Sequence, residues 1–99
     1  MTTKGGSTYI MTNKNNTTLY IGVSSDLAGR VWEHKEKIYP RSFTARYNQD
    51  KLVYFEHYDT IEEAIDREKQ IKRYSRQKKI DLINKFNTEW RDLYNEILN

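Results

Sequence analysis

A chain of 99 residues is long enough for one hydrophobic core and too short for a second, so a single domain over 1–99 is expected to carry the protein's activity. It has no cysteine and two histidines. That excludes disulfides, thiolate chemistry and cysteine-held zinc, and leaves a hard, oxygen-bound ion such as magnesium or manganese as the metal it could hold. No apolar run approaches the roughly 18 residues a membrane span needs, and the start of the chain lacks the apolar segment of a signal peptide, so a cytoplasmic location with no membrane partner is expected.

Residues 1–6, with Gly5 and Gly6, read as a flexible leader. Thr8 to Thr12 and Thr17 to Val23 are rich in strand-forming residues and bracket "NKNN", a connection suited to a hairpin. With that four-residue loop Thr12 pairs with Thr17, and Tyr9 lies directly opposite Tyr20 on one face. Gly22 shares that face and leaves room for another group to approach. From Ser25 or Asp26 the pattern turns helical, with Leu27, Val31 and Ile38 on the buried stripe and Pro40 at or just after the end. The stretch "RSFTARYNQD" reads as a loop, and the apolar run "KLVYFEHY" as a third strand.

Thr60 with Glu63 forms a capping box before a helix running to about Tyr74. Ser75 caps another helix with Ile80, Ile83 and Phe86, and a last helix is expected from Asn87 or Thr88. The order β-β-α-β-α-α-α predicts an α+β fold, a small three-stranded antiparallel sheet flanked by helices.

Charge is unevenly spread. Residues 67–79 hold seven bases (Arg67, Lys69, Lys72, Arg73, Arg76, Lys78, Lys79) against one acid, Glu68; that net +6, in a chain whose total is +3, leaves −3 for the remainder. Such an excess suits a polyanion, although a solvated helix face would have the same composition.

Several polar residues fall where apolar ones are expected. Arg30 and His34 lie within or beside the stripe of the first helix, and Glu68 near the centre of the stripe set by Ile61, Ala64, Ile65 and Ile71. A carboxylate there needs a cation, either a metal or Arg30 in a structural ion pair. Two tyrosines, an arginine, a histidine and a glutamate on inward faces suit phosphodiester chemistry. Arginine can hold a phosphate, a carboxylate can bind a divalent ion, and a phenol made acidic by cationic neighbours can relay a proton.

At these residues the chain resembles the GIY-YIG nuclease superfamily, and most of all its small stand-alone bacterial members with a URI-type domain. Tyr20-Ile21-Gly22 matches the second half of the signature; the first half is reduced to Ser7-Thr8-Tyr9, which keeps the tyrosine. "SSDLAGRVWEHK" resembles the family's helix, "EAIDREKQIKRYSRQKK" its later block, and "NTEWRDLY" its closing motif, with Thr88 where a proline is common.

The resemblance implies a metal-dependent endonuclease acting on nucleic acid, with DNA in repair, recombination or processing as the expected substrate. It gives Tyr9 the role of base or water-positioning group, Tyr20 a supporting one, Arg30 the phosphate and His34 positioning or proton transfer. Glu68 would hold one divalent ion, usually magnesium. Asn87, with Asn84 behind it, is the candidate for an additional site asparagine, a helix cap being the other reading. Lys69, Lys72, Arg73 and Arg76 would grip flanking phosphates.

Two alternatives stay open. One is a catalytically weak nucleic-acid-binding module of the same fold. The other is a protein-interaction domain anchored by Trp32, Tyr39, Phe43, Tyr47 or Trp90, aromatics more often found partly buried. A partner protein or self-association could supply targeting.

Overall fold

A computed structural model describes residues 5–98 of the chain, so residues 1–4 of the expected leader lie outside the described residues. Gly6 does not belong to a leader: it opens strand β1 (Gly6–Thr12), where a Cβ would press on Ile61 and Ala64. Strand β1 is buried along its whole length because it is the middle of the sheet, flanked by β2 (Leu19–Ser24) and β3 (Lys51–Tyr58) in the order β2-β1-β3, antiparallel throughout. The architecture is the expected α+β.

The hairpin loop is longer than "NKNN". The Asn13 side chain accepts hydrogen bonds from the Thr17 and Thr18 amides at 2.8 and 2.9 Å, Asn16 takes φ of 59°, and the strands part at Thr12 opposite Leu19. Pairing therefore moves by two residues, placing Tyr9 opposite Gly22 and Tyr20 opposite Met11. Because side chains alternate with period two, this shift keeps both tyrosines on one face and changes only their spacing.

Helix α1 (Leu27–Lys35) is capped by Asp26, whose side chain accepts from the Gly29 amide. It ends before Pro40 in a C-terminal turn: Lys37 takes φ of 53° and its amide donates to His34 O, while the Ile38 amide donates to Glu33 O. Ile38 consequently leaves the helix and is 45% exposed, so it does not belong to the buried stripe. The stretch expected to be a loop contains a helical turn, α2 (Phe43–Arg46), capped by Ser42.

Helix α3 (Ile61–Lys72) starts at the capping box, with the Glu63 amide donating to Thr60 Oγ1. Helix α4 (Arg76–Phe86) starts at Ser75. The expected last helix does not form. Asn87 ends α4, Trp90 turns the chain with φ of 54°, and among the described residues only a 3₁₀ turn follows, at Tyr94–Ile97. Instead of coiling, the segment closes on β3: the Leu93 amide donates to Leu52 O, and Asp92 accepts from the Leu52 amide and from Lys35.

Two apolar clusters result, one on each face of the sheet. Ile10, Ile21, Val53, Tyr54, Ile71 and Ile83 pack beneath α3 and α4, and the Thr8 hydroxyl fastens α3 by donating to Ala64 O at 2.7 Å. Tyr9, Met11, Val31, Leu52 and Leu93 pack beneath α1 and the C-terminal segment. The sheet thus separates an α1 side, which holds Tyr9 and Tyr20, from an α3 side, which holds the basic segment 67–79.

Candidate active site

Tyr9 is completely buried, and its ring lies over Gly22, where any Cβ would overlap it. The space expected at Gly22 is therefore filled by the chain's own tyrosine. Tyr9 Oη is 3.0 Å from His34 Nε2, and the rings of Tyr9, Tyr20 and His34 lie within 5.6 to 6.3 Å of one another. Arg30, one turn before His34, brings its charge close to the Tyr9 hydroxyl and pairs with Glu33 at 3.0 Å, its side chain 32% exposed. Beside it an open depression of about 330 Å³ is lined by Ser24, Asp26, Gly29, Arg30, Trp32 and Glu33. Four of the expected residues, Tyr9, Tyr20, Arg30 and His34, thus form one cluster with a guanidinium at its mouth.

The protonation of the cluster follows from its surroundings. Burial pushes the Tyr9 phenol well above its ordinary value, with Tyr20 adding to the rise and Arg30 opposing it. The expectation of a phenol made acidic by cationic neighbours is therefore corrected, because desolvation outweighs the guanidinium. Burial, then the Arg30 charge, hold the His34 imidazole down at about 4, Glu33 opposing. At neutral pH the pair is phenol and neutral imidazole. Among the described residues His34 Nε2 is the one hydrogen-bonding partner within reach of the buried Tyr9 hydroxyl, so a neutral imidazole accepts the phenolic proton there.

His34 Nδ1 lies 2.7 Å from Thr44 Oγ1, and Thr44 Oγ1 lies 3.2 Å from Ser42 Oγ. Sequence reasoning passed over Thr44 by reading its segment as loop; the available signal was Ser42 at the cap position, three residues before Ala45.

Glu68 stands apart from this cluster. Its carboxylate, 13% exposed, pairs with Lys72 at 2.8 Å, and Arg30 pairs with Glu33, so the alternative Arg30–Glu68 ion pair does not form. Ala64 and Ile71 face the sheet, and Arg67 leans towards Glu56 of β3, so helical geometry sets Glu68 on the opposite flank of α3, towards the edge strand β2. Among the described residues no three His, Asp or Glu side chains cluster as a metal cage.

Asn87 is buried and fully engaged with backbone: its amide nitrogen donates to Val53 O and Arg91 O, and its oxygen accepts from the Arg91 amide. Asn84 accepts from the Trp90 indole at 2.6 Å. Both hold the turn after α4. Lys69, Lys72, Arg73 and Arg76 are exposed, with Arg76 tied to Thr17 O of the hairpin. Trp32, Tyr39, Phe43 and Tyr47 are about half exposed or more, contrary to the expectation of packing residues. Tyr39 lies under the Arg30 guanidinium, and Phe43 stacks on Tyr47.

The model of the GIY-YIG catalytic domain matches residues 5–81. The chain belongs to the GIY-YIG family. A UPF0213 protein from Staphylococcus aureus (strain Mu50 / ATCC 700699) is 42% identical over 69 residues, covering 66% of this chain and 78% of that protein. The same figures hold for a UPF0213 protein from strain N315. The solution NMR structure of the UPF0213 protein BH0048 from Bacillus halodurans superposes with a TM-score of 0.57 at 24% identity, covering 89% of this chain and 92% of that one. The fold is shared with that structure, and the catalytic domain is one of a nuclease family.

Proposed function

We propose that this GIY-YIG domain is a divalent-metal-dependent endonuclease that hydrolyses phosphodiester bonds in nucleic acid, with DNA the expected substrate. The observation that carries the reading is the buried Tyr9–His34 hydrogen bond of 3.0 Å, with Arg30 beside it at an open mouth. Arg30 holds the scissile phosphate and the negative charge that builds on it. As a water attacks phosphorus and the bond to the leaving oxygen breaks, the water's proton passes to the Tyr9 oxygen, which is buried in this structure and has to be uncovered as substrate binds, while the Tyr9 proton passes to His34 Nε2. This spares the site a free phenolate, which burial disfavours. Tyr20 packs against both rings and holds their spacing.

Among the described residues no protein cage for a metal forms, so in this reading Glu68 would be the one carboxylate to hold a hard ion, exchanging its Lys72 partner for it. Such an ion, when bound, supplies positive charge to the phosphate oxygens. Lys69, Lys72, Arg73 and Arg76 contact phosphates on either side of the cut.

The test is cleavage of a panel of linear, nicked and branched DNA and RNA, with magnesium and with chelator. Magnesium-dependent cutting abolished by Arg30→Ala is the expected result. Salt-sensitive binding without turnover on any substrate would favour the binding module instead.

A further inference from the structure

Resting on the nuclease reading for its catalytic consequence, we propose that Thr44 is a positioning residue for this site: its hydroxyl accepts the Nδ1 proton of His34 and so keeps Nε2 bare towards Tyr9. Neutral imidazole carries one proton, and the bond made by one nitrogen decides which nitrogen bears it. Nε2 receives the Tyr9 hydroxyl, so Nδ1 is the protonated nitrogen and requires an acceptor inside a buried pocket. Thr44 Oγ1 is that acceptor at 2.7 Å. Thr44 is itself 2% exposed, which shuts out water as a competing partner. The threonine hydroxyl is left with a proton to donate, and Ser42 Oγ at 3.2 Å is placed to take it. Ser42 Oγ also receives the Ala45 amide as the cap of α2, so the turn that forms the helix fixes the far end of the chain.

The result is a directed series of donors, Tyr9 to His34 and His34 to Thr44 to Ser42, running from the reacting phenol to a helix cap. Without it the imidazole could place its proton on Nε2, facing a phenol that could then pass nothing on. Thr44 never touches substrate; it determines whether the step at Tyr9 has an acceptor.

Thr44→Val keeps the shape and removes the hydroxyl, and Thr44→Ser keeps the hydroxyl. Two-bond proton–nitrogen NMR correlations of His34 should show the Nδ1–H form in the parent and in Thr44→Ser, and a rise of the Nε2–H form in Thr44→Val. Cleavage kinetics should show kcat reduced about 10- to 100-fold in Thr44→Val, with KM little changed and recovery in Thr44→Ser. A parent already in the Nε2–H form overturns the assignment, as does a Thr44→Val protein with unaltered tautomer and kcat. Should Thr44→Val not fold, the parent and Thr44→Ser spectra still decide it. A parent that cuts nothing removes the nuclease reading alone, because the tautomer is read from the same sample without turnover.

Discussion

Tyr9 and His34 sit in a pocket that stabilises neither charge, and this has consequences that can be measured without substrate. The His34 imidazole titrates near 4 when folded and near 6.5 when unfolded, so between those values the unfolded chain binds more protons. Its contribution is fully present above about pH 6.5 and is lost as pH falls towards 4, up to on the order of 3 kcal/mol. Chemical denaturation from pH 7.5 to 4 on the parent and on His34→Asn should show the parent losing stability more steeply across that window. Parallel curves would show that His34 titrates normally.

Tyr9→Phe keeps the ring over Gly22 and removes the donor to Nε2, which should cost about 1 kcal/mol of stability and roughly 100-fold in cleavage rate. Tyr20→Phe should cost less of both, since Tyr20 meets the cluster through its ring. Denaturation and single-turnover assays on the two variants check the order.

Among the elements, those specified by short-range chemistry were legible in the sequence. Thr60 and Ser75 start their helices as side-chain caps, and the third strand coincides with its apolar run. What escaped depends on residues in the left-handed region and on contacts distant in sequence. Asn16 and the Asn13 side chain lengthen the hairpin, Lys37 ends α1 early, and Trp90 stops the last helix before it starts. In the site, the inward faces of Tyr9, Tyr20 and His34 followed from periodicity, whereas Thr44 could not, because its role rests on a turn read as loop.

The Asn87 amide joins the end of α4 to β3 and to Arg91, so Asn87→Ala should leave buried backbone groups unpaired and destabilise by about 2 to 3 kcal/mol. Well below its melting temperature, that variant should cut at close to the parental rate. A large loss of rate with little loss of stability would move Asn87 into the reaction.

At the scale of the whole molecule the sheet is a partition, with the phenols and Arg30 on the α1 side and Glu68 and the basic helices on the α3 side. A strand engaging both must pass one edge of the sheet, and β2 is the edge that carries Tyr20 and lies nearest Glu68 by helical geometry. Cutting and gripping should therefore separate by mutation. Lys69 and Arg73 are the suitable grip residues to change, because Lys72 pairs with Glu68 and Arg76 is tied to the hairpin. Lys69→Glu with Arg73→Glu should weaken binding to every sequence by a similar factor and lower the slope of log affinity against log salt by about 2, as expected when two phosphate contacts are lost.

Glu68→Gln should do the reverse. It replaces a carboxylate whose partner Lys72 is half exposed, so its stability in chelator should change by about 1 kcal/mol or less. It should keep salt-sensitive binding and lose magnesium-dependent cleavage by several orders of magnitude. Titrations at several salt concentrations, unfolding in chelator and cleavage in magnesium, run on both variants, read grip and chemistry apart. A Glu68→Gln protein that cuts as fast as the parent would remove Glu68 from the site, and loss of a single preferred sequence in the double variant would mean that α3 reads bases.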